Sequence, residues 1–426
     1  MKDRWRDSEA KQFIKVNGLT GQEDLALLTY ATRLVGRIPD LAMHGGGNTS
    51  CKGNFKTIRG DEITALFIKP SGADMGTVSP ADFIAMDLVC LKGLCSIRSL
   101  SDEKITARFR QHMLRHSNYL PSIETPLHTF LEKKFIIHTH PSAILALSNR
   151  IGGEKTVRKA LGDEVGFIRY ASLGLNLGQS LAAEMAKKKG PPAIVLAQHG
   201  LVTWGESAKE AYKKTIEFVN RAEDYLRRTK RFSLAVESKT SVYTASKRYK
   251  KFAPLLMELL SPSSSLASLI SKGVLDLLDG PKAREIFCTE PLNPDHLQRT
   301  KLTPLFVENP DYENEDVLRR RIAEQIKSYS AGYAAYIKRH SKQLKGLKPP
   351  ASEFLPKVLL LPGLGAVCAA CDMETAAIFR DITRQALNVK RAIYETGGIY
   401  VGLAEDDSFE MELRIWRKQK MHSLRP

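Results

Sequence analysis

The apolar positions in the first half of the chain alternate between helical and strand spacing. Residues 22–37 repeat leucine and valine at helical intervals, which predicts an amphipathic helix. Short apolar runs at 65–68, 135–139 and 193–198 instead predict buried strands. A second long amphipathic helix is predicted at 207–229. Strands that alternate with helices in this way indicate an α/β domain.

The second half of the chain has a different pattern. It follows a polar and basic stretch at 230–252, then contains a proline-rich stretch at 291–310 and a long charged helix at 315–342. This pattern predicts a mainly helical region with little strand. A length of 426 residues suits two domains. We therefore expect a catalytic domain at 1–235 and a C-terminal extension at 236–426, and the sequence shows no internal repeat.

The overall composition is that of an ordinary globular protein, with 43% hydrophobic and 26% charged residues. No apolar run is long enough to span a bilayer, and the polar N-terminus lacks the apolar core of a signal peptide. We therefore expect a cytoplasmic protein with no membrane partner. The six cysteines are too few over this length to predict a disulfide framework.

The chain is strongly basic, with a formal net charge of +17. This charge makes nucleic-acid binding one interpretation. The basic residues are dispersed, aromatic residues are not interleaved with them, and no nucleic-acid-binding motif accompanies them. We expect no specific nucleic-acid partner, because a small phosphorylated substrate also explains a basic protein.

Candidate chemistry is concentrated at the ends of two predicted strands. The run FIIHTH ends in His138 and His140, which share one face because side chains alternate along a strand. The run AIVLAQHG ends in His199. The pair alone is either a structural pair or part of a metal site. Three histidine ligands with one open position are typical of a catalytic zinc ion.

A carboxylate precedes the first histidine pair in sequence. Glu124 lies in PSIETPLHTF, where Pro121 and Ser122 predict the start of a helix that continues to about Lys134. One interpretation of Glu124 is a first-turn acid that the helix dipole stabilises. The other is a general acid/base near the metal, with a pKa that burial raises toward neutrality. His128 lies on the same helix face and is interpreted as a core histidine or a support for the site.

Two loops offer groups that suit a phosphate. Glycines at 45–47 let a backbone approach an anion closely, and Asn48 and Ser71 offer donors. A flexible turn is the alternative interpretation of the glycine run. A match to the YxxxK motif of dehydrogenases, Tyr243 to Lys247, lacks the upstream glycine-rich loop that a dinucleotide site needs, and we interpret it as chance.

Taken in order, these motifs resemble the class II aldolase/adducin family. The matching parts are GGGNTS, a strand that ends in PSG, PS-x-E, H-x-H and QHG, and they span residues 24–226. The residues of these motifs are most similar to those in the aldolase half of bifunctional rhamnulose-1-phosphate aldolase/short-chain dehydrogenase proteins. The later segments NPDHLQRTK and LLPGLG extend the likeness. The chain ends where the dehydrogenase domain would begin, so we expect a stand-alone aldolase part.

The resemblance implies an αβα fold with a central, mostly antiparallel sheet. It implies a divalent metal, usually zinc, held by His138, His140 and His199, and an acid/base role for Glu124. It implies phosphate-binding roles for Gly47, Asn48, Ser71, Gly72 and Ser122. Where the family's aldolases often carry a second serine, this chain has Ile123, which removes one hydroxyl from the expected phosphate site.

The sequence therefore predicts a metal-dependent aldolase, acting as a homo-oligomer. Its expected substrate is a ketose 1-phosphate similar to rhamnulose 1-phosphate, cleaved to dihydroxyacetone phosphate and a small aldehyde. A sugar-phosphate epimerase or dehydratase of the same fold is a second hypothesis. A non-catalytic binding module like adducin is a third, although such modules lack the three histidines.

Overall fold

A computed structural model shows the arrangement of these elements. It describes residues 1–17, 21–98, 100–187, 190–261 and 263–423. The chain divides into two compact units, which we call unit 1 (Met1–Thr229) and unit 2 (Lys230–Pro426). The expected assignment of catalysis to 1–235 and of an extension to 236–426 stays a prediction. Among the described residues, none of the helices combines the length and the apolar character that crossing a bilayer requires.

Unit 1 contains a central sheet and helices on both of its faces. Its helices are α1 Asp7–Asn17, α2 Glu23–Gly36, α3 Leu88–Lys92, α4 Asp102–Gln111, α5 Thr125–Phe130, α6 Ser142–Ser148, α7 Gly153–Leu161, α8 Leu175–Met185 and α9 Ala208–Thr229. Its strands are β1 Asn48–Lys56, β2 Glu62–Ile68, β3 Ile84–Asp87, β4 Phe135–Thr139, β5 Gly166–Ile168, β6 Ala193–Leu196 and β7 Gly200–Gly205.

The sheet of unit 1 has the strand order β3-β2-β1-β4-β7-β6-β5. All neighbouring strands run antiparallel except β5 and β6, which are parallel. Alternate residues of β4 pack on opposite faces: Phe135 and Ile137 join the core formed with α2, α6, α7 and α9, whereas Ile136 faces the core of α5 and α8. The expected αβα fold with a mostly antiparallel sheet is therefore confirmed.

Unit 2 is mainly helical around a smaller sheet, as expected. Its helices are α10 Val242–Leu260, α11 Lys272–Leu278, α12 Ala283–Phe287, α13 Pro294–Thr300, α14 Glu315–Arg339, α15 Ser341–Leu344, α16 Met373–Glu395 and α17 Glu405–Ser423. Its strands are β8 Ser265–Leu269, β9 Leu305–Phe306, β10 Val358–Leu361 and β11 Gly365–Ala370, in the order β8-β11-β10-β9.

The structure corrects two local expectations near the candidate site. The helix predicted from Pro121 to Lys134 is shorter, because α5 covers Thr125–Phe130 and Glu124 is its N-cap residue. Pro126 suits a first helical turn, since its missing N–H would have no partner there, and this placement delays the start. In GGGNTS only the glycines form the loop: Asn48 already begins β1, where it pairs with His138.

Candidate metal centre

Three strand ends bring the histidines together. His138 lies in β4, His140 follows the end of that strand, and His199 lies in the turn between β6 and β7. Because β4 and β7 are paired neighbours, this turn lies beside the end of β4. Gly200 packs so closely on Thr139 that a side chain would collide with the Thr139 carbonyl oxygen. The turn and the strand end are therefore held in fixed positions.

The three imidazole rings converge on one small space. His138 Nε2 lies 3.1 Å from His140 Nε2 and 3.2 Å from His199 Nε2. The ring centroids are 4.7–5.2 Å apart. All three residues are buried, and His140, which is 8% exposed, is the most accessible of them. The structure thus brings together all three histidines that the sequence predicted as metal ligands.

The protonation of His138 is set by the backbone. Its Nδ1 lies 3.1 Å from the Leu201 carbonyl oxygen, which can only accept a hydrogen bond. The proton of the neutral ring is therefore on Nδ1, and Nε2 presents a lone pair to the other two histidines. Burial lowers the pKa of His138 well below its ordinary value. A neutral imidazole with a free lone pair is the form that binds a metal ion.

Glu124 is the fourth member of the cluster. Its Oε1 lies 3.0 Å from His199 Nε2 and 3.7 Å from His138 Nε2, and its side chain is buried. Burial raises the pKa of this carboxyl, but the imidazoles of His138 and His199 lower it by more, so that the pKa lies well below its ordinary value. The expected rise of this pKa toward neutrality is wrong for this structure, because the histidines outweigh burial.

A buried hydrogen-bonded chain holds Glu124 from the other side. Asn48 Nδ2 donates to Glu124 Oε2 and, at 3.1 Å, to Ser122 Oγ. The Asn48 side-chain oxygen therefore faces His128 Nε2, which donates to it. His128 Nδ1 accepts from Ser50 Oγ at 2.7 Å. Burial lowers the pKa of His128 to about 3, so the ring is neutral and supports the site as a buried, fully bonded histidine.

The expected phosphate-binding residues occupy two different environments. Ser71 and Gly72 are exposed, whereas Gly47, Asn48 and Ser122 are buried. The side chain of Asn48 is engaged by Glu124 and Ser122, and Ser122 Oγ accepts from the Glu124 backbone N–H at 3.2 Å. Ser71 is held by its backbone, whose N–H donates to the Leu120 carbonyl at 2.9 Å.

The glycines of the first loop are required for close packing. A side chain on Gly45 would lie 2.5 Å from the Gly72 carbonyl oxygen, and one on Gly47 would lie 2.7 Å from that of His138. Both have positive φ angles, 84° and 70°, which glycine adopts without strain. The glycine loop is therefore a fixed link between the PSG loop and the histidine strand, and not a flexible turn.

Lys69 is a feature that the sequence analysis missed. It is 1% exposed, and its Nζ donates to the carbonyl oxygens of Gly45 at 3.2 Å, Pro70 at 3.1 Å and Ala73 at 2.6 Å. This buried cation ties the glycine loop to the PSG loop. The only signal in the sequence is a lysine at the end of an apolar strand directly before PSG.

The cluster fits a divalent metal ion by its geometry and by its electrostatics. Ligands about 2.0–2.1 Å from a tetrahedral zinc ion are about 3.3 Å apart, close to the separations of the histidine nitrogens. Glu124 Oε1 is buried, and the nitrogens nearest to it are His199 Nε2 at 3.0 Å and His138 Nε2 at 3.7 Å. A buried carboxylate beside imidazole nitrogens is stable only with a proton or a cation between them. His138, His140 and His199 therefore form a group that could hold a metal ion.

Comparison with known families identifies the class of protein. Residues 26–226 match the class II aldolase and adducin N-terminal domain, and residues 247–420 match the second domain of class II aldolases. Together the two matches cover most of both units. The chain belongs to the class II aldolase and adducin family, as the sequence motifs predicted.

Three proteins illustrate the range of similarity. An uncharacterized oxidoreductase, YuxG of Bacillus subtilis, is 27% identical over 97% of this chain, and the chain spans 59% of that protein's length. The N-terminal class II aldolase domain of a conserved Thermoplasma acidophilum protein is 33% identical over 53% of this chain and 100% of that chain, with a TM-score of 0.47. An L-fuculose-1-phosphate aldolase from Thermus thermophilus is 20% identical over 48% of this chain and 95% of that chain, with a TM-score of 0.32.

Proposed function

We propose that unit 1 is a zinc-dependent aldolase that cleaves a ketose 1-phosphate, similar to rhamnulose 1-phosphate, to dihydroxyacetone phosphate and a small aldehyde. The observation that carries this proposal is the position of Glu124 Oε1, 3.0 Å from His199 Nε2 within the histidine cluster. This arrangement would place a metal ion and an acid/base group together in one buried space. Family membership supports an enzyme of the lyase class.

Each residue of the cluster would have a distinct role. A divalent cation held by His138, His140 and His199 would act as a Lewis acid that polarises the substrate carbonyl. Glu124, ionised and fixed by Asn48, would move a proton at the carbon next to that carbonyl. Burial of the cluster excludes water from the charged groups, which strengthens their electrostatic effect.

The substrate phosphate is proposed to bind at the loop that Lys69 ties together. Ser71 and Gly72 are the exposed members of the expected phosphate set, so their hydroxyl and backbone groups are accessible to a ligand. Gly47, Asn48 and Ser122 lie deeper, and in this proposal Asn48 and Ser122 also orient Glu124. A cytoplasmic location and a homo-oligomeric state belong to the same proposal.

The test combines metal analysis with a substrate screen. The purified protein is expected to contain about one zinc ion or other divalent metal per chain, since one three-histidine cluster is found among the described residues. It should release an aldehyde from at least one ketose 1-phosphate. The His140→Ala variant should lose both properties, whereas His116→Ala, an exposed control, should keep them.

The alternatives give different results in the same screen. Conversion of the substrate to an epimer or a dehydrated product, without release of an aldehyde, would replace the aldolase by a related sugar-phosphate enzyme. Absence of bound metal together with unchanged activity of His140→Ala would exclude the metal-dependent mechanism.

A further inference from the structure

The sheet of unit 2 repeats the topology of one half of the sheet of unit 1. In unit 1 the strands β4-β7-β6-β5 are joined by two antiparallel pairings and then one parallel pairing. In unit 2 the strands β8-β11-β10-β9 are joined by the same series of pairings. The chain visits the strands of each set in the same relative order. This agreement includes the parallel strand at the edge, which is the exception in both sheets.

The pairing registers also agree at the level of single residues. In unit 1, Leu196 pairs with Gly200 across the turn 197–199, and in unit 2, Leu361 pairs with Gly365 across the turn 362–364. The middle residue of each turn has a positive φ, 51° at Gln198 and 72° at Gly363. Each turn therefore has the same length, the same closing pair and the same left-handed position.

In each unit the strand next to the hairpin, β4 or β8, pairs with it one residue after the glycine. Thr139 of β4 pairs with the residue that follows Gly200, and Leu269 of β8 pairs with the residue that follows Gly365. A side chain on Gly200 would collide with the Thr139 carbonyl oxygen, and one on Gly365 would lie 2.6 Å from the Leu269 carbonyl oxygen. Leu269 thus occupies in unit 2 the position that Thr139 occupies in unit 1.

The helices extend the correspondence beyond the strands. Helix α9 packs on β7, and α16 packs on β11. In both helices a buried threonine donates to the carbonyl of the residue four positions earlier and contacts the strand below. Thr215 bonds Ala211 and Thr203, and Thr383 bonds Phe379 and Cys368. Helices α6 and α11 begin three residues after Thr139 and Leu269, at Ser142 and Lys272.

The metal ligands are absent from the corresponding positions of unit 2. Ser268 and Ile270 flank Leu269 as His138 and His140 flank Thr139, and Leu364 precedes Gly365 as His199 precedes Gly200. Leu364 is fully buried, and it packs in one apolar cluster with Leu266 and Val367. None of the three corresponding side chains can bind a metal ion as an imidazole does.

Side chains of unit 2 also form hydrogen bonds with the backbone of the turn that carries Leu364. The Tyr312 hydroxyl donates to the Pro362 carbonyl at 2.7 Å, and Arg248 donates to the Gly363 carbonyl at 2.9 Å. Asp279 accepts from the Gly363 N–H at 2.7 Å. These polar backbone groups of the turn are therefore already satisfied by the protein itself and are not left for a ligand.

A side chain of unit 2 also covers a backbone group at the edge of β8. In unit 1, Ile136 of β4 pairs with Ser50 of β1, a strand that has no counterpart in the described part of unit 2. Leu266, the residue of β8 that corresponds to Ile136, instead accepts a hydrogen bond from the Tyr249 hydroxyl at 3.1 Å. A side chain of α10 thus covers a backbone group at a sheet edge that would otherwise invite pairing with another strand.

We propose that unit 2 is a structural copy of the histidine-bearing half of unit 1 and that it does not bind a metal ion. It keeps the four strands and the helices that pack on them, and Ser268, Ile270 and Leu364 occupy the positions of the three histidines. The assignment of metal binding to unit 1 alone rests on the proposed function of that unit. The correspondence of positions between the units does not rest on it.

The first experiment locates the metal. Full-length wild type and His140→Ala/His199→Ala are loaded with Zn²⁺, freed of excess ion and analysed for metal content. We expect about one equivalent in the wild type, from the three-histidine cluster of unit 1, and background in the variant. If the variant retained about one equivalent of metal, the proposal that unit 2 does not bind a metal ion would be overturned. No metal in either protein would contradict the proposed function and leave the correspondence to the second experiment.

The second experiment introduces a three-histidine metal site into unit 2. In the His140→Ala/His199→Ala background, Ser268→His, Ile270→His and Leu364→His are introduced together. The matched control carries Ser265→His in place of Ser268→His, because Ser265 is also half-buried but lies on the opposite face of β8. Co²⁺ binding is followed by its visible absorption, and thermal unfolding is measured with and without Zn²⁺.

We expect Co²⁺ to bind the Ser268→His set at least about tenfold more tightly than the control, and Zn²⁺ to raise the unfolding temperature of that set alone. The thermal measurement remains informative if the new histidines destabilise the protein, because metal binding would then raise its unfolding temperature. Equal metal binding and equal thermal response in the two sets would overturn the correspondence.

Discussion

Asn48 donates a hydrogen bond to Glu124, from Nδ2 to Oε2 at 2.5 Å, across the space between β1 and the start of α5. The same amide group also bonds Ser122, so the direction of the Asn48 side chain is fixed. The residue that the sequence offered as a phosphate ligand is thus also a support for the proposed acid/base.

Replacing this donor should impair catalysis more than binding. Asn48→Asp places a second carboxylate against Glu124, and loss of a hydrogen bond to a charged group costs about 1.5–3 kcal/mol. We expect kcat/KM to fall by about 10- to 100-fold, mostly through kcat, in an assay of aldehyde release. Asn54→Asp is the matched control, since Asn54 lies on the same strand and bonds Glu62 in an exposed position. Equal effects of the two substitutions would remove Asn48 from the mechanism.

Glu124→Gln tests the acid/base role directly. The amide keeps the size and burial of the side chain but cannot accept a proton, so kcat should fall by about 10²- to 10⁴-fold. Metal content should remain near that of the wild type, because the three histidines are unchanged. Glu132→Gln is the control, since Glu132 is an exposed partner of Lys92. A decrease in kcat of less than about threefold would assign the proton transfer to another group.

His128 should make the protein less stable in acid. Burial lowers its pKa from an ordinary 6.5 to about 3 in the folded protein. Between these two values the unfolded chain takes up a proton that the folded protein does not, so this contribution to stability is complete above pH 6.5 and is lost as the pH falls.

The effect is measured by urea unfolding of the wild type and His128→Gln from pH 8 to pH 5. The variant keeps an N–H donor for Asn48 but cannot be protonated. Below about pH 6 the stability of the wild type should fall more steeply than that of the variant, by at most about 1.4 kcal/mol per pH unit. Parallel pH profiles for the two proteins would contradict this role of burial.

Lys69 should contribute both to stability and to substrate binding. Lys69→Met keeps the length of the side chain but leaves the carbonyl oxygens of Gly45, Pro70 and Ala73 without this donor. Unsatisfied buried groups cost about 1–3 kcal/mol each, less where water can enter, so we expect a loss of about 2–4 kcal/mol in the free energy of unfolding. KM for the sugar phosphate should rise, because the glycine and PSG loops are no longer tied.

Lys92→Met provides the control for this substitution, since Lys92 is half-exposed and forms an ion pair with the exposed Glu132. It should change the free energy of unfolding by less than about 1 kcal/mol. If Lys69→Met behaved in the same way, the three carbonyls would have to be satisfied by other groups.

The convergence of the three histidines was predictable because each lies at or near the end of a short, strongly apolar strand. Strand spacing places His138 and His140 on one face without reference to the rest of the fold. The contact of His199 with them depends on the pairing of β4 with β7, which is a long-range property. The ordered motifs of the family supplied that relationship where local spacing could not.

Other parts of the site were not predictable from local patterns. The start of α5 was misjudged because Ser122 and Pro121 resemble a helix start, while the hydrogen bonds of Ser122 to Asn48 and Glu124 hold the segment outside the helix. The burial of Lys69 depends on three carbonyls from two loops. The correspondence between the units was invisible because topology and register agree while almost no residues are shared.

The turn at 197–199 and its counterpart at 362–364 have one further consequence. The second turn adopts the same shape with Leu364 in place of an imidazole and with Tyr312, Arg248 and Asp279 holding its backbone. Because leucine cannot bind a metal ion, this turn does not need one to take its shape. The free energy of ion binding in unit 1 would then remain available for affinity, unlike that of a zinc finger, where it is consumed by folding. A depleted enzyme should stay folded and regain activity when the ion returns.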